Sequence, residues 1–175
     1  MRLRTVQVAI ILGGLALSTP SMAQDIASIP EWTLQLDPLT TALGFVHLQV
    51  EKRLSDSFSV YAGPHLHLFD GLLDKESGES YRGYGVEAGL RWFFLGGAPQ
   101  GFWAQVRGVV AHITPSTDVS GTGGYLSALA GYTAIFDGWF VLAGGLGVQY
   151  MHYHVDGIGP KGILPAAHTT IGVAF

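Results

Sequence analysis

From Trp32 onward the chain cycles between segments in which apolar residues recur at every second position and stretches rich in Gly, Asp, Ser and Pro. Side chains on a strand point alternately to opposite faces, so this period predicts strands with two chemically different faces. Eight segments follow the pattern: Trp32–Leu36, Gly44–Leu54, Ser57–Phe69, Tyr81–Leu95, Gly101–Ile113, Gly123–Phe136, Trp139–His154 and Leu164–Phe175. The first is the least regular, because Asp37-Pro38 interrupts it. In the second, Val46, Leu48 and Val50 alternate with His47, Gln49 and Glu51. In the fourth, Val86, Ala88, Leu90, Trp92 and Phe94 oppose Gly85, Glu87, Gly89 and Arg91. The fifth sets Ala104, Val106 and Val110 against Gln105 and Arg107, and the seventh sets Phe140, Leu142, Leu146 and Val148 against Gly145, Gly147 and Gln149. One face is free of charge along every segment; the other is small and polar.

The connections alternate in length. Ser55-Asp56, Gly96–Gln100 and Asp137-Gly138 are tight, whereas Asp70–Ser80, Thr114–Thr122 and Val155–Ile163 are longer and polar. Short turns on one side and long loops on the other are the asymmetry of an outer-membrane up-and-down barrel, and an even number of strands is its rule. Starting from a periplasmic N-terminus, all the tight turns fall on the periplasmic side. The fold expected is therefore an all-β, eight-stranded antiparallel transmembrane barrel over residues 24–175.

Composition sharpens this picture. Hydrophobic residues make up 48% and charged residues only 13%, yet no stretch after the first 20 residues is long and apolar enough for a membrane helix. Hydrophobicity spread over many short segments is how a membrane barrel reads. A soluble periplasmic ligand-binding barrel, with the apolar face inward, is the alternative. Its exterior should be rich in Lys and Glu, but here the polar face carries few charges and much of the chain's 25 Gly. Glycine suits the crowded interior of a small barrel. Trp92, Phe94, Phe102, Trp103, Phe136, Trp139, Phe140 and Phe175 gather near the predicted periplasmic rim and read as an aromatic girdle.

The N-terminus reads as a cleaved secretory signal over residues 1–23. Arg2 and Arg4 precede the apolar run Val6–Ala16, and Ser21-Met22-Ala23 fits a cleavage site. Losing both arginines makes the formal net charge of −4 more negative, which argues against a nucleic-acid partner. Without cysteine there is no disulfide framework, thiolate metal site or lipid-anchored cysteine.

Candidate chemistry lies on the polar face. Parity places Glu51, Glu87, Arg91 and Arg107 inside the barrel, with Gln49, Gln105 and Gln149 as further lumen polar groups. Buried charges need partners, and Glu87 with Arg107 or Glu51 with Arg91 are the cross-strand pairs expected. They would form a plug, since an eight-stranded lumen is only wide enough to be filled by side chains. The pairs His65/His67 and His152/His154, with His112 and His168, are placed near the outer strand ends as polar rim histidines. An HxH pair can begin a metal site, but these two lie on non-adjacent strands and opposite faces, so no metal or cofactor is expected.

An enzyme is the other class. The lipid A deacylases of this barrel class resemble the chain in size and topology, and that resemblance implies a His-x-Ser-Asn element on a late strand. His152-Tyr153-His154 and His168-Thr169-Thr170 lack its Ser and Asn. Only His168 and Thr170 offer a hydroxyl beside a base, so no catalytic residue is assigned.

The last strand, His168–Phe175, with alternating apolar residues and a terminal Phe, resembles the signature by which outer-membrane barrels are recognised by the barrel-assembly machinery. Leu36-Asp-Pro-Leu39 followed by Gly44–Ser59, together with Tyr84–Phe94, resembles a family of small barrels that open with an Asn/Asp-Pro-Leu element. It is similar in kind to the outer membrane protein A/W superfamily. The resemblance implies outer-membrane location, contact with membrane lipids and lipopolysaccharide, and a monomer. The role expected is structural, surface-interacting or limited small-solute passage.

Overall fold

In the computed structural model eight antiparallel strands form one closed barrel, in the order in which they occur along the chain. The structure describes residues 29–67, 81–115, 121–153 and 161–175. The signal segment, most of the three long connections and His154 lie outside the described residues. The strands are β1 (Trp32–Leu36), β2 (Phe45–Arg53), β3 (Phe58–His67), β4 (Tyr81–Gly97), β5 (Gln100–Pro115), β6 (Gly121–Phe136), β7 (Phe140–His152) and β8 (Lys161–Ala174). β1 pairs with β2 on one side and with β8 on the other, which closes the sheet.

The three tight connections lie at the end where Trp32 and Phe175 exchange backbone hydrogen bonds. In the β6–β7 hairpin, Asp137 (φ 51°) and Gly138 (φ 75°) both take positive φ, and the Trp139 N–H donates to the Phe136 carbonyl at 3.1 Å. Asp-Gly suits a tight turn with positive φ at both central residues, and pairing resumes one residue later at Phe140. The opposite end carries the long connections. It also carries one element the alternation does not signal: α1, a single helical turn at Pro38–Ala42 between β1 and β2. Asp37 caps it, its carboxylate accepting from the Leu39 and Thr40 N–H groups. Proline at the first helical position and an acidic cap are helix-start signals. The interruption at Asp37-Pro38 is therefore an ordered part of the wall.

Polarity across the wall runs opposite to that of a water-soluble barrel. Outside, Tyr84, Val86, Leu146 and Ile163 are each more than 60% exposed. Among the described strands, charged side chains on this surface are Lys52, Arg82 and Lys161, all within two residues of a strand end. Inside, Glu51, Glu87, Arg91 and Arg107 are at most 2% exposed. Such an interior fits only because glycine makes room for it. A Cβ at Gly89 would strike the Tyr61 ring, and one at Gly131 or Gly145 would strike the Trp103 ring. Phe93, Ala98, Trp103, Leu129 and Ala166 form an apolar cluster inside the barrel.

These contacts predict an asymmetric cost of adding one methyl group. Gly89→Ala overpacks the lumen against Tyr61 and should lower stability by about 1–3 kcal/mol. Gly108→Ala, whose Cβ meets only the Leu126 side chain at 4.0 Å, should stay within about 0.5 kcal/mol of wild type. Urea unfolding followed by tryptophan fluorescence checks both.

Candidate functional site

The polar groups of the lumen converge on Arg91 of β4. Its Nη1 donates to Glu51 Oε2 at 2.7 Å, its Nε to Gln105 Oε1 at 2.8 Å, and its Nη2 to His168 Nε2 at 2.8 Å. The guanidinium is also stacked, with its Cζ 4.8 Å from the centre of the Tyr61 ring and 5.1 Å from that of Trp103. Arginine suits the position because a planar fork of donors can serve several acceptors while its faces rest on aromatic rings. Gln49 Oε1 lies at the edge of hydrogen-bond range, 3.5 Å from Nη2.

Glu51 is equally engaged from its own side. Its Oε2 accepts from Gln35 Nε2 at 2.7 Å and from the Thr33 hydroxyl at 3.3 Å, both on β1. Its Oε1 accepts from the Ser59 hydroxyl of β3. A charge taken out of water costs several kcal/mol unless it is paired and its remaining lone pairs are filled. Here both carboxylate oxygens are occupied.

A second group lies toward the loop end. His47 Nδ1 donates to Glu87 Oε2 at 2.9 Å, and His65 Nδ1 is 3.4 Å from the same His47 nitrogen. The two rings meet edge to face, with centroids 4.1 Å apart, and His67 stacks on Phe45 at 4.3 Å. Arg107 joins the two groups. Its Nη1 is 3.9 Å from Glu87 Oε2 and 3.2 Å from His168 Nδ1, and its Cζ lies 5.3 Å from the Tyr125 ring. His168 also faces Asp37, whose Oδ2 is 3.6 Å from its Nδ1.

The geometry therefore brings Glu51 together with Arg91 directly, and Glu87 with Arg107 loosely. Gln49 and Gln105 belong to the same network. Gln149 faces the lumen from β7 but is only half-buried. Trp92, Phe94, Phe136, Trp139, Phe140 and Phe175 lie on the outer surface at the turn end, and several are in ring contact, as with Phe136 and Phe140 at 6.0 Å. Trp103 does not belong with them. It is fully buried in the lumen, donates from Nε1 to the Thr133 hydroxyl at 2.9 Å, and forms part of the Arg91 stack. Its odd number on β5, shared with Gln105 and Arg107, is the signal that position near a strand end obscures.

His168 also departs from the rim placement. It is fully buried between the two arginines, and His47, His65 and His67 are likewise lumen groups. His112 and His152 face outward. Asp37, Thr33 and Gln35 were not marked by the charge pattern. Thr170, the hydroxyl two residues on from His168 and on the same face of β8, donates to Gln35 Oε1 instead. Among the described residues, no group of three or more His, Asp or Glu is arranged to hold a metal ion. No family model, curated protein or solved structure matches this chain.

If the Glu51–Arg91 pair organises the lumen, either single change, Glu51→Gln or Arg91→Gln, should cost about 3–5 kcal/mol by leaving the partner charge buried. The double variant should lose less than the sum, with a coupling of about 0.5–3 kcal/mol. A double-mutant cycle from urea titrations reads this; strict additivity would remove the pair from its central role.

Proposed function

We propose that this protein is an integral outer-membrane β-barrel that acts as a closed scaffold, presenting its long connections for surface interaction. The observation that carries this reading is the inverted polarity of the wall. A continuous exterior of Leu, Val, Ala and aromatic residues encloses a lumen of charged and hydrogen-bonded groups. Exposed apolar patches beyond a few hundred Å² are rare on soluble monomers, whereas an apolar band with aromatic girdles is what a lipid-facing barrel requires. From β3 through β8 the strands are paired along most of their length, which fits the same setting, because backbone groups in hydrocarbon must be satisfied internally.

The filled lumen supports a scaffold over a pore. Arg91, Tyr61, Trp103, His47 and His168 are all at most 1% exposed. Export by the N-terminal signal and assembly through the C-terminal strand complete the reading. Membrane lipids and lipopolysaccharide would then surround the wall.

The membrane setting has a direct test at Leu146, which is 73% exposed near the middle of β7. On a protein in water, Leu146→Arg should change stability by no more than about 0.5 kcal/mol. On a lipid-facing wall near the bilayer midplane it should cost about 2–4 kcal/mol. Urea unfolding from lipid vesicles measures the difference, and a neutral result would sink the membrane reading. In planar bilayers the wild-type barrel should show no steady ion conductance; a steady open channel would contradict the closed lumen.

A further inference from the structure

β8 has β7 beside it along nearly its whole length, but β1 accompanies its other edge only from Ala174 to Ile171. From Thr169 back to Lys161, no described strand lies against that edge. The alternation of hydrogen bonds identifies the groups left there. Phe175 exchanges bonds with Trp32, while the Ala174 N–H goes to Trp139 on the β7 side. Odd residues of β8 therefore turn their backbone groups toward the gap. One of them is Pro165, which has no N–H to leave unpaired and is tolerated on such an edge.

The wall is weakly tied on the far side of β2 as well. Pairing between β2 and β3 runs from Phe45↔His67 to His47↔His65 and resumes only at Val50↔Ala62. The Phe58 carbonyl accepts from Leu54, so even residues of β3 face β2. Pro64 thus withholds a donor inside the interruption.

α1 fills the space between β8 and β2. A five-residue helix is about 7.5 Å long, whereas the stretch of β8 from Lys161 to Thr169 extends about 30 Å. Its polar groups are turned back on themselves: the Thr40 and Thr41 hydroxyls both donate to the Asp37 carbonyl. Asp37 supplies the ties to the strands on either side. Its N–H donates to the His47 carbonyl of β2 at 3.1 Å, and its Oδ1 accepts from the Thr169 hydroxyl of β8 at 2.9 Å.

We propose that the barrel opens laterally between β8 and β2, with α1 as the strap that closes the gap and Asp37 as its latch. Opening would join the outer surface of the wall to the lumen at His47 and His168. The proposal rests on strand pairing and on the bonds of Asp37, and does not require the membrane reading.

Hydrogen exchange of the whole protein in detergent micelles tests it. In wild type, the amides of Ala167 and Thr169 should exchange at least about tenfold faster than those of Ala166 and His168, whose N–H groups face β7. Thr169→Val removes the latch bond but keeps the helix cap. It should speed exchange of the Thr41, Leu43 and Gly44 amides by about tenfold, the factor one hydrogen bond to a charged group carries. Amides of the β5–β6 ladder should not change. Equal protection of odd and even amides between Ala166 and Thr169 of wild-type β8 would overturn the proposal. So would a folded Thr169→Val variant with unaltered exchange in α1. If that variant does not fold, the wild-type alternation, together with faster exchange in α1 than in β5–β6, decides the matter.

Discussion

Glu51 and Arg91 lie 2.7 Å apart in a lumen where neither is more than 1% exposed to solvent. Neither charge could remain there alone, because the loss of hydration would exceed anything a single neutral hydrogen bond returns. Each is therefore surrounded by groups drawn from several strands. Glu51 gathers Thr33 and Gln35 from β1 and Ser59 from β3; Arg91 gathers Gln105 from β5 and His168 from β8. One ion pair thus ties together most of the circumference of the barrel. Strand register around the closure becomes a matter of charge satisfaction as well as of backbone pairing.

The same centre accounts for the distribution of large and small residues. A stacked guanidinium between Tyr61 and Trp103 fills the width of the lumen, so the strands facing these rings carry Gly89, Gly131 and Gly145. Glycine in a strand interior ordinarily weakens it. Here its lack of a side chain is what allows aromatic rings to occupy the axis. The small residues and the buried aromatics are two halves of one packing solution, and Trp103 also joins the apolar cluster around Phe93.

Against this tightly tied interior, the junction of β8, β1 and β2 stands out. The strand that completes the barrel is five residues long, and a helical turn takes over where it stops. Asp37 serves that turn as cap, meets Thr169 across the gap, and faces His168 with its second oxygen. The weakest part of the wall is consequently in contact with the network that holds the rest.

The alternation of apolar and polar residues determined the strands, their number and which side chains face each other across the wall. These follow from a period of two that every extended segment obeys. It also carried Glu51, Glu87, Arg91 and Arg107 to one face, because parity is local. It did not carry distance. That Arg91 reaches Glu51 two strands away and His168 on β8, while Arg107 only approaches Glu87, depends on the curvature and stagger of the closed sheet. Trp103 was read by its nearness to a strand end, although its parity and the glycines opposite it put it inside. Asp37-Pro38 read as an interruption, because a helix of one turn is too short to show a period. The local pattern of the chain decided the wall; only closure of the barrel, which brings residues more than a hundred positions apart into one lumen, decided the network within it.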